Sequence, residues 1–148
     1  MLIKRLDPGD EPILDLLARD DADFDVNGRG APLAPLAPGA ARAYLANRAV
    51  LHWVAVEEEN IVGFLYCLVV PLRSGVGREL LLYEIGVRNA WRRRGTGRAL
   101  LAHMEKWMRV NGVDEVWVCA DNRLAVDFYR GCGFRTELAQ PVYMTREL

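Results

Sequence analysis

Hydrophobic residues along the chain follow two spacings, which predict strands in the first half and alternating strands and helices in the second. Short apolar runs typical of strands occur at 2–6, 52–58, 61–70, 79–87 and 115–120. Three polar residues at 58–60 join the second and third runs, so we expect a hairpin there. Two further runs near the end predict closing strands at 134–138 and 142–146.

Helical spacing is clearest over 97–111, where apolar residues recur on one face and Gly112 ends the segment. Shorter helices are predicted after Asp10, near 40–47 and over 123–130. The stretch 20–39 is acidic and then rich in Ala and Pro, so we expect a long loop.

The order of these elements predicts an α/β architecture. Strands come first, followed by an alternating strand–helix–strand–helix–strand half. This order implies a mixed sheet of six to seven strands with about four helices on its two faces. The 148 residues correspond to one domain, and we find no internal repeat or second domain in 1–148.

Composition and cysteine use predict a cytoplasmic protein. Of the residues, 51% are hydrophobic and 26% charged, and no apolar run approaches the roughly 20 residues that span a bilayer. The N-terminus lacks the apolar stretch and cleavage site of a signal peptide. Cys67, Cys119 and Cys132 are scattered, so neither a disulfide framework nor a metal site is expected. A net charge of −1 argues against nonspecific nucleic-acid binding.

Local charge is less even than the total. Four acids fall within six residues, at Asp20, Asp21, Asp23 and Asp25. Four arginines crowd a second segment, at Arg92, Arg93, Arg94 and Arg98. The chain is therefore expected to carry one anionic and one cationic pocket.

The segment 87–98 is a candidate diphosphate site. It leaves a strand, turns through Arg92-x-x-Gly95-x-Gly97 and enters the long helix. Glycine lets the backbone approach a ligand closely, and the N–H groups and dipole at a helix start bind anions. Arginines add charge for phosphate oxygens. A surface turn before a solvated, basic first helical turn would have the same sequence features.

A second segment favours the ligand-binding interpretation over a surface turn. After strand 115–120 come Asn122, Ala125, Phe128, Tyr129, Gly133 and Phe134. Together the two segments resemble the GCN5-related N-acetyltransferase (GNAT) superfamily. Its acetyl-CoA motif, R/Q-x-x-G-x-G/A, matches 92–97, and its downstream pattern, N-x-x-A-x-x-F-Y-x-x-x-G-F, matches 122–134. In element order the resemblance covers essentially the whole chain.

The resemblance implies a GNAT fold, a mostly antiparallel sheet with a V-shaped cleft between two central strands, and acetyl-CoA as co-substrate with no metal. The pyrophosphate would be held by the backbone of Arg92, Arg93, Arg94, Gly95, Thr96 and Gly97, with the Arg92 and Arg98 side chains helping. Backbone groups near Gly86, Val87 and Arg88 would bind the pantetheine amides and the thioester oxygen, and Asn122 would bond the pantetheine arm.

Two residues are candidates for acid–base catalysis. Tyr129 matches the family tyrosine that protonates the departing thiolate; packing beside the sulfur is the alternative. A protonated amine cannot attack a thioester, so a base is needed, directly or through water. Glu84 lies three residues before Val87, and alternation would put Glu84 and Gly86 on one strand face and Tyr83 on the other. An exposed acid or an arginine partner is its alternative reading, and Glu79 is the reserve candidate.

The acidic loop suggests the acceptor. A cleft facing Asp20, Asp21, Asp23 and Asp25 would concentrate a cationic substrate, although a solvated helix end has the same composition. The Tyr83-Glu84 pair and the short length resemble the aminoglycoside 3-N-acetyltransferase branch, which has Tyr-Asp there. Glu replaces Asp, the linker before the last helix is shorter, and the C-terminus is not notably acidic.

The predicted function is therefore acetyl transfer to a primary amine of a cationic small molecule, an aminoglycoside first, with Tyr83 and Glu84 at the acceptor. A polyamine, an amino-acid metabolite or a protein amino terminus is the alternative acceptor. A non-catalytic acyl-CoA sensor is a different class, against which the presence of Glu84 and Tyr129 argues. No nucleic-acid or membrane partner is expected, and exposed closing strands make a homodimer plausible.

Overall fold

The computed structural model describes residues 1–24, 32–73, 77–136, 142 and 144–147. Five helices and five strands occur within these ranges. In chain order they are β1 (Leu2–Arg5), α1 (Glu11–Arg19), α2 (Asp21–Phe24), α3 (Pro38–Ala46), β2 (Val50–Glu57), β3 (Asn60–Pro71), β4 (Arg78–Val87), α4 (Thr96–Asn111), β5 (Glu115–Val118) and α5 (Arg123–Gly131). A short 3-10 turn, Asn89–Trp91, lies between β4 and α4.

The strands form one sheet in the order β1-β2-β3-β4-β5. Every neighbouring pair is antiparallel except β4 and β5, which are parallel. The predicted hairpin, the third strand of the first half, and the helices 97–111 and 123–130 are confirmed to within about two residues. The mixed, mostly antiparallel α/β sheet is therefore as predicted.

Two sequence-based expectations change. The predicted loop 20–39 contains the one-turn helix α2 and the start of α3 at Pro38. The described sheet has five strands rather than six to seven, because 134–136 and 144–147 are not in strands. Instead of entering a strand, Phe134 donates its N–H to the Tyr129 carbonyl and packs its ring 5.2 Å from the Tyr129 ring. Residues 137–141 and 143, where the closing strands were also predicted, lie outside the described residues.

A hydrophobic core covers each face of the sheet. Under α4 and α5 it contains Trp53, Leu80, Leu100 and Met104, each at most 1% exposed. The face covered by α1, α2 and α3 packs a smaller set around Leu45, Val54 and Phe64. The periodic apolar face of α4 is the one that is buried, which is what positions the start of this helix against the sheet.

A bulge in β4 resets which face its residues occupy. Leu82 opposes Cys67 and Glu84 opposes Tyr66, so Tyr83 is one extra residue and two residues of β4 oppose a single tyrosine. Leu82 belongs to the core under α4, and without the bulge Glu84 would share that face. With the bulge, Glu84 lies on the same sheet face as Tyr66, which is the face that α1, α2 and α3 cover.

Beyond the bulge, β4 and β5 part. They pair only from Glu79 to Leu82 of β4, and β5 ends at Val118 whereas β4 continues to Val87. In the described part of the chain, no strand accompanies the last five residues of β4 on this side. This gap is the V-shaped opening between central strands that the family resemblance implies.

Candidate active site

A cleft of about 610 Å³ occupies the gap between β4 and β5 and extends over the start of α4. Most of the predicted site residues line it. They are Asp21, Tyr83, Glu84, Gly86, Val87, Arg92, Arg93, Gly95, Thr96, Gly97, Arg98, Asn122 and Tyr129. Residues from both halves of the sequence thus meet at one opening, since Asp21 and Tyr129, which both line it, are 108 positions apart.

The start of α4 has the backbone features of the anion site that its sequence predicts. Gly95 precedes the helix with φ of 88°, a left-handed conformation that glycine adopts at low cost. No side chain caps the helix, so the N–H groups of its first turn remain available to a ligand. These donors and the helix dipole favour a phosphate at this place.

Gly97 joins the two sequence motifs in space. A Cβ at this position would lie 3.0 Å from the ring of Phe128 on α5. The absence of a side chain therefore lets α5 pack closely against the first turn of α4. Because of this contact, Tyr129, the next residue along α5, reaches the same cleft.

The motif arginines divide into two pairs. Arg92 donates from Nε to the Val87 carbonyl and from Nη2 to the Phe24 carbonyl, both at 3.0 Å, so its guanidinium ties α2 to the end of β4. Arg94 lies over the Trp91 ring at 5.1 Å and is not among the cleft-lining residues. Arg93 and Arg98 line the cleft and make no ion pair with a described residue. These last two are the better placed to meet phosphate.

Tyr129 is 7% exposed and its ring packs between Phe128 and Phe134. Burial raises the pKa of Tyr129 above its ordinary value near 10, and nearby acidic groups including Glu84 act in the same direction. The phenol therefore stays protonated throughout the physiological pH range, which is the form in which it can donate.

Glu84 lies half-buried on the cleft wall, opposite Tyr66 of β3. Its charge raises the pKa values of Tyr44, Tyr66 and Tyr129, although burial is the larger cause for each. Tyr83 is 63% exposed and its ring lies 5.2 Å from the Tyr66 ring. The expectation that Tyr83 occupies the face opposite to Glu84 is therefore wrong, because the bulge turns both towards Tyr66.

Arg88 forms ion pairs with two residues of the acidic cluster. Its Nη2 donates to Asp20 at 2.7 Å and its Nη1 to Asp23 at 2.9 Å, while its Nε donates to the Ile61 carbonyl at 2.6 Å. Hydrogen bonding from Arg88 lowers the pKa of Asp20. Burial raises the pKa of Asp23, but its hydrogen bonds with Arg88 and Asn89 outweigh burial, so this pKa also lies below its ordinary value. These two acids thus fasten α2 to β4.

Asp21 differs from its two neighbours. It is 5% exposed, it lines the cleft, and its Oδ2 has no hydrogen-bond partner among the described residues. A buried carboxylate oxygen without a donor costs free energy, so a ligand cation or N–H group would relieve it. Asp25 lies outside the described residues.

Asn122 serves the fold as well as the cleft. It is the N-cap of α5, where its Oδ1 accepts from the Ala125 N–H at 2.9 Å and its Nδ2 donates to Asp121 at 2.8 Å. The predicted bond from Asn122 to pantetheine stays a prediction. The reserve acid Glu79 pairs with Val70 and Glu115 at the far end of β4 and does not line the cleft.

Sequence reasoning missed the residues behind Glu84. Tyr44, His52 and Tyr66 come from α3, β2 and β3, and their spacing in the sequence carries no signal that they meet. It also missed the role of the Arg88 side chain, which bonds two acids of the cluster. The only sequence signal for Arg88 was its position one residue after a strand that leads into a glycine motif.

Neither a metal site nor a membrane span emerges from the described ranges. Among those residues no group of three or more His, Cys, Asp or Glu side chains is arranged to hold a metal ion. No helix in the same ranges has both the length and the apolar character to cross a bilayer.

The family assignment follows from sequence and fold together. The model of the acetyltransferase (GNAT) family matches residues 17–134, about four fifths of the chain. The chain belongs to the GNAT family. It is an acetyl-CoA-dependent N-acetyltransferase, and the sequence-based identification is confirmed. No curated protein sequence matches it.

Solved structures show how this GNAT domain compares with its relatives. An aminoglycoside acetyltransferase from an uncultured soil metagenomic sample, in complex with trehalose, is 26% identical with a TM-score of 0.85, covering 99% of this chain and 95% of its own. A complex with sisomicin from the same source is 24% identical with the same TM-score and coverage. A ribosomal-protein-alanine N-acetyltransferase from Brucella melitensis biovar Abortus 2308 is 18% identical, with a TM-score of 0.72 and coverage of 98% and 100%.

The described residues fit the co-substrate that the GNAT family uses. The uncapped start of α4 with Arg93 and Arg98 suits a diphosphate, and the gap between β4 and β5 suits an extended arm leading from it. Acetyl-CoA has both features.

Proposed function

We propose that this enzyme transfers the acetyl group of acetyl-CoA to a primary amine of a cationic small molecule, and that an aminoglycoside is the acceptor class that suits the site best. The observation that carries the proposal is the placement of two carboxylates, Asp21 and Glu84, on the wall of the cleft that starts at the α4 N-terminus. The fold likeness to an aminoglycoside acetyltransferase at 26% identity supports the same choice.

Asp21 is proposed to bind a cationic group of the acceptor. Its buried Oδ2 lacks a partner among the described residues, whereas Asp20 and Asp23 both form ion pairs with Arg88. A single buried acid attracts a cation more strongly than solvated acids do, because water screens it less. Of the four acids predicted to contact the acceptor, Asp21 is therefore the one among the described residues that we propose for this role.

Glu84 is proposed to remove the proton from the attacking ammonium group, directly or through one water. An amine with a pKa above neutrality is protonated in water, and only its neutral form has the lone pair that attacks a thioester. Acetyl-CoA supplies the activated acetyl group. Backbone N–H groups near Gly86 and Val87, in the part of β4 that does not pair with β5, would stabilise the negative charge that develops on the carbonyl oxygen.

Tyr129 is proposed to act as the acid for the departing sulfur, through a hydrogen bond that its hydroxyl donates. Its raised pKa keeps the proton in place until the reaction, and the same property makes full transfer to a thiolate uphill. Tyr129 therefore acts by a positioned hydrogen bond that strengthens as the sulfur gains charge. The proton that Glu84 accepts from the ammonium group returns to solvent through the open side of the cleft. The second proton, which the nitrogen loses as the amide forms, balances the one that the departing sulfur takes up.

The acceptor class is tested by following coenzyme A release with a thiol reagent on a panel of aminoglycosides, polyamines, amino acids and short peptides. Turnover confined to aminoglycosides would support the proposal. Turnover on another amine would keep the enzyme class and discard the acceptor, and coenzyme binding without any turnover would favour a sensor.

The base is tested by comparing Glu84→Gln with Glu79→Gln, a matched change on the same strand outside the cleft. We expect Glu84→Gln to lower kcat about 100-fold, since a general base contributes a factor of this order. Acetyl-CoA binding should remain within twofold of wild type in both variants, and Glu79→Gln should keep its kcat. Wild-type kcat in Glu84→Gln would remove Glu84 from this role.

A further inference from the structure

Arg92 bridges the two elements that carry the proposed acceptor residues. Its Nε donates to the Val87 carbonyl at the end of β4, and its Nη2 donates to the Phe24 carbonyl at the end of α2, both at 3.0 Å. The strand β4 carries Glu84 and the helix α2 carries Asp21, and both acids line the cleft. One guanidinium therefore joins the elements from which the two cleft carboxylates come.

We propose that Arg92 is a positioning residue for the acceptor rather than a ligand of the diphosphate: its two bonds to carbonyl groups hold α2, and with it Asp21, at the acceptor side of the cleft. The inference rests on the proposed function, in which Asp21 binds a cationic group of the acceptor. It departs from the family resemblance, which implies that the Arg92 side chain helps to hold the pyrophosphate.

The helix α2 is too short to keep its place by its own hydrogen bonds. It has four residues, and a single turn forms very few internal bonds to offset the ordering of its backbone. The last carbonyl groups of a helix have no partner within it, and the Phe24 carbonyl is one of these. Arg92 supplies that partner, and its charged donor makes the stronger class of hydrogen bond.

The bond from Arg92 acts on the face of α2 that borders the cleft. Asp21 and Phe24 are three positions apart, so they are neighbours on one face of the turn. Both are buried, and both line the cleft together with Arg92. Arg88 instead bonds two acid side chains next to this face. Loss of the Arg92 bond should therefore displace Asp21 even where the Arg88 ion pairs remain.

Close packing of α2 on the sheet makes its position matter for both carboxylates. A Cβ at Gly86 would lie 3.1 Å from the Phe24 Cβ, so α2 rests directly on β4, two positions beyond Glu84. The Phe24 ring meets the Phe64 ring edge-on, with centroids 5.4 Å apart. A shift of α2 along this contact would change the separation of Asp21 from Glu84, across which the acceptor is proposed to bind.

The test compares three arginine variants. Arg92→Met removes the donors and keeps an unbranched side chain, whereas Arg92→Lys keeps the charge and loses the planar fork that makes the two bonds. Arg93→Met is the matched change at the next motif position, which lines the cleft. The measurements are the Kd of coenzyme A by calorimetry and the KM of the amine that turns over fastest in the acceptor panel.

We expect both Arg92 variants to raise the acceptor KM about fivefold, the effect of removing the Asp21 charge, and to bind coenzyme A within about threefold of wild type. Retained coenzyme A binding also shows that the variants are folded. Arg93→Met should weaken coenzyme A about tenfold and keep the acceptor KM, because it loses a charge-assisted bond to phosphate. A tenfold loss of coenzyme A affinity in Arg92→Met would overturn the inference, whichever amine is acetylated.

A double-mutant cycle separates this inference from the function beneath it. Arg92→Met should have no further effect on the acceptor KM in Asp21→Asn, because it acts through Asp21. If Asp21→Asn leaves the KM unchanged while Arg92→Met still raises it, the Asp21 contact fails and the positioning role of Arg92 stands. If Asp21→Asn raises the KM and Arg92→Met either has no effect or adds its full effect to it, the inference alone is wrong.

Discussion

The two walls of the cleft present different chemical groups, backbone N–H groups on one and side-chain carboxylates on the other. The helix wall, Gly95 to Arg98, presents mainly backbone: N–H groups at an uncapped helix start after a left-handed glycine. The carboxylate wall, Asp21 and Glu84, presents side chains from two elements far apart in sequence, and Glu84 lies opposite Tyr66 of a third element, β3. A backbone site is specified by one short segment, whereas a side-chain site depends on the packing of the whole domain. Changes in the two walls should therefore have separable effects.

After the 100-fold loss of kcat expected for Glu84→Gln, the next largest effect should be on the pH dependence of folding stability. This effect comes from His52, which lies behind the carboxylate wall. His52 is neutral when buried, with a folded pKa of about 4 against 6.5 for an exposed histidine. Between these values the unfolded chain binds a proton that the folded chain does not, so stability falls as pH falls below 6.5. From pH 7.5 to 5 the loss should be about 2 kcal/mol.

The measurement is urea unfolding at both pH values. His52→Asn keeps a polar side chain beside Tyr44 but does not titrate, so its stability should lose about 2 kcal/mol less than wild type over this interval. His103→Asn, a change in the other histidine, should keep the wild-type loss. An unchanged pH dependence in His52→Asn would mean that His52 is protonated in the folded protein.

Tyr129 lies between the two walls, and its substitution should have the next largest effect. Tyr129→Phe should lower kcat about tenfold while the KM for acetyl-CoA stays within twofold, since the ring still packs against Phe128 and Phe134. The pKa of Tyr129 is raised, so its ionisation should cause no loss of activity up to pH 10, and the variant should keep the shape of the wild-type pH profile. Full kcat in Tyr129→Phe would limit the residue to packing.

The smallest effect distinguishes the acids of α2 from one another. Asp21→Asn should raise the KM for a cationic acceptor about fivefold and leave the melting temperature equal or higher, because a buried carboxylate without a partner costs stability. Asp23→Asn should do the opposite: a lower melting temperature through the lost Arg88 bond and an unchanged KM. The reverse pattern would place the acceptor contact on Asp23.

The helix wall could be predicted from sequence nearly residue by residue. The run from Arg92 to Gly97, followed by apolar residues at helical spacing, predicts both the turn and the helix, and α4 begins at Thr96. Each of these features depends on neighbours within a few positions. The predicted loop at 20–39 was partly wrong because α2, one turn long, is held by Arg88 and Arg92 rather than by its own helical preference.

The carboxylate wall could be predicted only as a composition. The sequence shows four acids but not that Arg88 takes two of them, since this pairing joins residues 65 and 68 positions apart. Simple alternation placed Tyr83 and Glu84 on opposite faces, and the bulge opposite Tyr66 moved them to the same side. Periodicity cannot reveal where a strand gains an extra residue.

The sequence by itself determined the family, the order of the principal elements, and the glycine turn at the start of α4, because hydrophobic period and glycine positions act locally. Only the tertiary structure decided which charged side chains pair with one another, which acid reaches the cleft without a partner, and which tyrosine stands behind Glu84. These outcomes depend on contacts between α2, α3, β2, β3 and β4, and the burial that those contacts produce sets the charge and orientation of each group.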